Sequence, residues 1–341
     1  MLISKKTVGD GSDIGWVSGL MGAIRSAAGQ TVTSKKALSI PVLQEGVSLL
    51  AESVAQLPVE LYRRTSDGGR EPAIEHPLYD ILKYCPNDWQ TPFEYREGSQ
   101  MSAGLRGNAY SFIDRDGRGQ IIGLYPLDPD KVNVLKGPDL NPIYQVGDQR
   151  LPQRLVHHVR WFSINHYVGL SPIELHADAI GYALALSDYS SKSFLNGTAL
   201  SGVLERPVGA PAFKDPKTVD TITDDWQRRF GGTSNRRKVA LLQEGMTFKP
   251  LTMSNIDAEL INALKLSDSD IARIFKIPPP MVGSMEGATY NNVENLQIQY
   301  VIYALMPWLK RHEQAMQRDL LTKEDRQSLY IEFNVSGLLR G

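Results

Sequence analysis

The side chains able to carry chemistry are few and scattered. His157 and His158 adjoin in RLVHHVRWF and His166 follows, a group that metal-dependent cleavage of nucleic acid could use. A strand through them alternates its faces, however, which turns His157 away from His158, and no further convincing ligand accompanies them. His312-Glu313 opens the zinc pattern HExxH, but Met316 occupies the second histidine position. Asp114, Asp116 and Gly117 begin like a calcium loop whose twelfth position should be glutamate and is Tyr125, so a hairpin turn is the simpler reading. Neither a GxxxxGK[ST] phosphate loop nor a GxSxG nucleophile turn occurs, and GDGSDIG near the start follows no strand. The chain is therefore expected to be no enzyme and to need no cofactor or metal. Its histidines are expected to be structural or surface groups.

Bulk properties narrow the class further. The 341 residues are enough for two or three domains, with 42% apolar and 22% charged residues, as in ordinary globular proteins. Lysine plus arginine number 37 against 38 acidic residues, a formal net charge of −1, which argues against a wide basic face that grips nucleic acid. Cys85 is the single cysteine, so no internal disulfide framework is possible and a reducing setting is expected. No apolar run is long enough to span a membrane, and the start lacks the apolar stretch of a signal peptide.

The elements that must position any site follow from periodicity. Residues 1–37 are rich in Gly, Ser, Thr and Lys and are expected to form a loose arm, with a short helix over 14–27. IPVLQEGVSLLAESVAQLP predicts a helix stopped at Pro58, VELYRRTSDGGREPA a strand, turn and return, and HPLYDILKYCP a short helix. A helix over about 91–105 is then expected ahead of several strands reaching the histidines. At GLSP the pattern changes. Ser171 suits an N-cap and Pro172 the first helical position, and the helix runs to Asn196-Gly197. A β-α-β-β unit follows, then a second long helix from near Asn255 to the run Pro278-Pro279-Pro280. After a Gly, Ser and Asn-rich loop comes a helix carrying Pro307 in its interior, where a proline removes a backbone hydrogen bond and kinks the axis. IEFNVSGLL reads as a closing strand.

Two long helices with a small domain between them form a stalk with a tip. Such a stalk buries little surface alone and gains burial when copies stand side by side. The first helix carries Ala177, Ala179, Gly181, Ala183, Ala185, Ser187, Ser190 and Ser191, small residues that allow close approach, although ordinary packing explains them equally well.

GLSPIELHADAI, FLNGTALSGVLERP, DDWQRRFGG, KVALLQEG, SDSDIARIFKIPPPMVG, the Tyr290-Asn291-Asn292 segment and LMPWLKRHEQAMQRDLL, in this order and spacing, resemble the HK97-type portal proteins of tailed bacteriophages and prophages. The resemblance covers about residues 38–340 and implies an α+β portal fold that forms rings. It implies an arm over 1–37, a wing over 38–168, stem helices within 169–197 and 254–277, a clip over 198–253 and a channel-facing tunnel loop over 278–292. Residues 293–341 would return to the wing as a kinked helix and strand. Family members usually continue from there into a helical crown, which the sequence given does not include.

The function so implied is a ring of about twelve copies at one capsid vertex, through which double-stranded DNA is packaged and ejected. The implied partners are the DNA, the large terminase subunit, the major capsid or scaffold protein and a head–tail adaptor. No membrane is involved. The implied location is the virion, after assembly in the host cytoplasm. The tunnel loop offers Met281, Val282, Ser284, Met285, Glu286, Thr289, Tyr290 and Asn291, without lysine or arginine, so it can touch a duplex without trapping it. Lys192, Lys265 and Arg273 on the stem either face the channel or pair with neighbouring acids. In the clip, Arg228, Arg229, Arg236, Arg237 and Lys238 either dock the terminase or adaptor, or balance Asp224, Asp225 and Glu244. Two other classes stand against the portal reading: a metal-dependent enzyme using 157–166, and an adaptor that forms no ring.

Overall fold

A computed structural model describes residues 15–16, 24–195, 202–207, 209, 216–230, 245–250, 255–283 and 293–335. The chain divides into two compact units, one of residues 1–186 and 263–341 and one of residues 187–262.

The first unit opens with short strands. β1 (Gly15–Trp16), β2 (Ile24–Arg25) and β3 (Thr31–Val32) precede α1 (Ser34–Ala37). The described parts of 14–27 are thus extended, not helical as the spacing predicts. β1 pairs with a later strand, and β2 and β3 close a hairpin through Gly29 at φ 77°. In water a short isolated helix is marginal, whereas these residues gain partners by pairing.

Helix α2 (Pro41–Ala55) starts with proline at its first turn and buries Leu43, Val47, Leu50 and Val54 on one face. β4 (Val59–Arg64), β5 (Arg70–Pro72), α3 (Pro77–Lys83) and α4 (Pro92–Arg106) follow. α4 has a full capping box. The Glu94 N–H donates to Thr91 Oγ1 at 3.2 Å, and the Thr91 N–H donates to Glu94 Oε2 at 2.8 Å. α4 also supplies Arg96, whose guanidinium donates twice to the Ala55 carbonyl, at 3.1 and 2.8 Å, and so caps the end of α2. α4 ends at Gly107, which is left-handed at φ 72°. A side chain there would meet the Leu170 carbonyl oxygen at 1.9 Å, so the backbone of 169–170 lies directly on this glycine.

The sheets are antiparallel throughout. β6 (Asn108–Arg115) sits between β7 (Ile121–Leu127) and β11 (Val156–Arg160). β8 (Val132–Lys136), β9 (Pro142–Val146) and β10 (Gln149–Pro152) form a meander that β1 extends. The Asp116–Gly119 segment closes the β6–β7 hairpin, as its Asp-Gly pair predicts. Helix α5 (Pro172–Leu175) begins at the Ser171 cap, and α6 (Ala177–Leu195) follows. The single helix expected from Ser171 is therefore broken at His176, whose φ is −111°. Ile173, Ala177 and Ile180 are buried on both sides of the break.

Helix α8 (Asn255–Ile274) returns to the first unit, and a 3₁₀ turn, Pro279–Val282, packs after it. Beyond it, α9 (Val293–Gln299) passes through a π-helical turn, Tyr300–Leu305, into α10 (Met306–Leu320). Pro307 lies inside this continuous helical run, just after the π turn, and the wider turn takes up the mismatch that the sequence predicts as a kink. α11 (Asp325–Ser328) leads to β14 (Leu329–Phe333), the closing strand, which pairs with β4 beside β5.

The second unit holds β12 (Gly202–Glu205), α7 (Pro216–Phe230) and β13 (Thr247–Pro250), with β12 and β13 paired antiparallel. The further strand expected at KVALLQ lies outside the described residues.

Candidate functional site

The segment where the second long helix ends is built in steps. In its last turn Ile271, Ala272, Ile274 and Phe275 are buried, while Arg273 and Lys276 are exposed. The Ile277 N–H donates to the Ala272 carbonyl at 3.2 Å and the Lys276 N–H to the Arg273 carbonyl at 3.1 Å, which is the Schellman pattern of helix ends. Its left-handed position is normally glycine and here is Lys276, at φ 58°. The prolines then turn the chain back onto α2. Phe275 Cδ2 lies 3.1 Å from where a Cβ of Gly46 would stand, so this glycine makes room for it. Val282 is 1% exposed within the core, and Met281 packs partly buried against it. Gly283, at φ 88°, ends the turn.

The loop expected over 278–292 therefore has an anchored beginning. Pro278–Gly283 is a turn fastened to α2, and Val282 is a core residue, which removes it from the lining set. Ser284, Met285, Glu286, Thr289, Tyr290 and Asn291 lie outside the described residues.

The cationic candidates are dispersed. Lys192 on α6 and Lys265 on α8 are exposed. Arg273 donates to Asp270 Oδ1 at 2.7 Å, one helical turn back, so its charge is locally balanced. Arg228 on α7 does the same with Asp225 at 2.5 Å. Arg229 lies in α7, and Arg236, Arg237 and Lys238 lie outside the described residues.

Three histidines, His157, His158 and His312, are buried and hydrogen-bonded within the first unit. His157 and His158 point to opposite sides of β11, as alternation predicts, and both are buried. Nδ1 of His157 lies 3.0 Å from Asp319 Oδ2 on α10, and the same oxygen accepts the His158 N–H at 3.0 Å. Burial pushes the Asp319 carboxyl up, but the hydrogen bonds from His157 and Arg318 outweigh this and hold it at about 2. His158 faces Tyr144 Oη at 3.1 Å and Asn108 Oδ1 at 3.0 Å, and burial lowers its pKa well below the usual histidine range. His312 pairs with Gln100 Oε1 at 2.9 Å, and burial takes it down to about 3. His166 sits apart on an exposed loop. Among the described residues no group of three His, Cys, Asp or Glu side chains could hold a metal ion. The enzyme alternative thus finds no centre at 157–166. Among the described residues no helix is long and apolar enough to cross a membrane.

The family model described as phage portal protein matches residues 41–341. This chain belongs to that family. The portal protein of Enterobacteria phage HK97 is 29% identical over 317 residues, which span 91% of this chain and 74% of the relative. A crystal structure of an HK97 family phage portal protein from Corynebacterium diphtheriae aligns at TM-score 0.59 with 19% identity, over 94% of this chain and 98% of that one. A chain from the neck of a native gene transfer agent particle, computed with C12 symmetry, aligns at 0.64 with 21% identity, over 93% and 87%. These likenesses establish the portal fold.

Portal proteins are structural, non-enzymatic phage components that form the channel at the capsid vertex. Two features of this portal protein escaped sequence reasoning. Lys276 in a glycine-type conformation left no signal, because a lysine near a helix end is ordinary. The Asp319 network joins residues more than 160 positions apart, a distance that periodicity cannot bridge.

Proposed function

We propose that about twelve copies of this portal protein form a ring through which double-stranded DNA moves during packaging and ejection, and that a separate ATP-driven terminase supplies the force. Family membership over residues 41–341 carries this reading, and the C12 neck particle that holds a similar chain supports the ring and its number. The charge pattern fits sliding contact. The chain totals −1, and no lysine or arginine falls between Ile277 and Asn292. In this reading α6 and α8 form the stem, the segment after Gly283 faces the channel, and residues 198–253 form the clip that docks terminase or a head–tail adaptor. The wing over 38–168 meets the capsid or scaffold protein. Assembly takes place in the host cytoplasm.

Electron microscopy of the purified full chain, paired with light scattering, tests the ring. Rings with a central hole and a mass of about twelve copies are expected. A chain that stays monomeric at high concentration overturns the proposal. Reversing the charge at Arg236 and Arg237 is expected to abolish terminase binding. Retained binding removes the docking role from that pair.

A further inference from the structure

The helical run after the loop leaves one side open to water that its composition does not suit. From Asn295 to Leu309 the sequence NLQIQYVIYALMPWL has no charged side chain. Its inner side is spent on the first unit. Tyr300, Ala304, Leu305, Trp308 and Leu309 are buried, and Tyr300 Oη donates to Ser53 Oγ on α2 at 2.7 Å. Its outer side carries Ile298, Ile302 and Tyr303, exposed to 48%, 50% and 63%. Residues four apart share a helix face, and with Asn295, Leu296 and Gln299 these three line a groove of about 340 Å³. A helix at a protein surface ordinarily turns charged residues to solvent, whereas the outer side here offers only the uncharged Asn295, Gln297 and Gln299 beside its exposed apolar side chains. The π turn Tyr300–Leu305 falls in this stretch, and such turns gather at functional positions.

We propose that this uncharged stripe is the seam between adjacent copies, and that Ile298, Ile302 and Tyr303 of each copy are covered by a different face of the next. The inference rests on the ring reading above. A contact with DNA is disfavoured, because no lysine or arginine between Asn295 and Leu309 could meet a phosphate. A partner present once or a few times per particle would leave most stripes of a twelve-copy ring open. In a ring every copy has another copy of the same chain directly beside it, so each stripe has such a neighbour at hand. Closed rings of a single chain join unlike patches, so the stripe need not match itself. Ile298, Ile302 and Tyr303 are large apolar side chains left to water side by side, as side chains covered by a partner are.

The test uses the full chain with a benzophenone amino acid in place of Tyr303, alongside the variant Ile302→Asp. Light is expected to join the Tyr303 position to neighbouring copies and give a ladder of covalent multimers. Ile302→Asp is expected to lower the assembled fraction about tenfold at concentrations where the unaltered chain forms rings, with helix content unchanged. Intact rings from Ile302→Asp, together with no multimers from the Tyr303 position, overturn the seam and leave the ring standing. A monomeric unaltered chain overturns the ring, and the seam with it. Should Ile302→Asp lose its helix content, the crosslink decides alone, because a ladder supports the seam and its absence from assembled rings overturns it.

Discussion

Asp319 on α10 lies 3.0 Å from Nδ1 of His157 on β11, and this buried pair fastens the long closing helix to the central sheet of the first unit. The same carboxylate accepts the His158 N–H and two donors from Arg318, so both its oxygens are occupied. Removing one partner of a buried ion pair strands the other, at a cost of roughly 3–5 kcal/mol. Asp319→Ala is expected to lose about that much, as read by chemical denaturation. The carboxyl is held at about 2 against an ordinary 3.8, so its contribution is fully present above that ordinary value and fades as pH falls towards 2.

Buried neutral histidines act over a higher window. His312 is held at about 3 against an ordinary 6.5. Below 6.5 the unfolded chain takes up a proton that the folded chain refuses, so stability falls as pH falls through this range. The slope is about 1.4 kcal/mol per pH unit for one such group. His158 adds a term of the same sign. Thermal unfolding followed between pH 7 and pH 4 is expected to show a steep decline, and His312→Gln is expected to flatten it.

Lys276 occupies a left-handed helix end that glycine adopts without strain. Lys276→Gly is expected to raise stability by up to about 1 kcal/mol, because the relief of strain exceeds the added freedom of the unfolded chain. Urea titration checks this, and a loss of stability would show that the lysine stem contributes packing that outweighs its backbone conformation.

Helices and turns with local causes were legible in advance. The Ser171-Pro172 start and the Asp116-Gly117 turn act through neighbours in sequence, and both the cap and the hairpin form as expected, although the helix that Ser171 starts breaks at His176. The misses have mixed causes. β1 takes its partner β8 from far along the chain, which periodicity cannot show, whereas β2 pairs with β3 in a local hairpin through Gly29 and the π turn ends just before Pro307. Of the expected loop residues, Val282 was misjudged because an apolar residue after prolines looks the same whether it lines a channel or plugs α2.

Gly181 on α6 touches the hairpin of β2 and β3. A Cβ at this position would lie 2.0 Å from Ser26 Oγ, and the neighbouring Ala27 N–H donates to Asp178 Oδ1 at 2.7 Å. Gly181→Ala is expected to lift the hairpin off the helix, with a loss of roughly 1–3 kcal/mol and faster proteolysis at residues 24–32. Ser26→Gly in the same chain is expected to recover part of both, since it removes the group that the new methyl strikes. A helix-propensity account predicts the opposite sign, because alanine exceeds glycine inside a helix by about 1 kcal/mol.

The stem cations separate by their partners. Arg273 is paired with Asp270, and such exposed pairs are worth about 0–1 kcal/mol, so Arg273→Ala is expected to leave both stability and DNA contact nearly unchanged. Lys192 is exposed on α6 and belongs to the stem in the proposed ring. Each lysine that meets a phosphate releases about one counterion, so its loss lowers the slope of log affinity against log salt by about one. Lys192→Ala rings are therefore expected to hold linear duplex more weakly at low salt and with a shallower salt dependence. Duplex binding to assembled rings across a salt series measures this. Equal slopes for Lys192→Ala and the unaltered ring would place that face of α6 away from the channel, and the cations that steady the DNA would then have to come from another element.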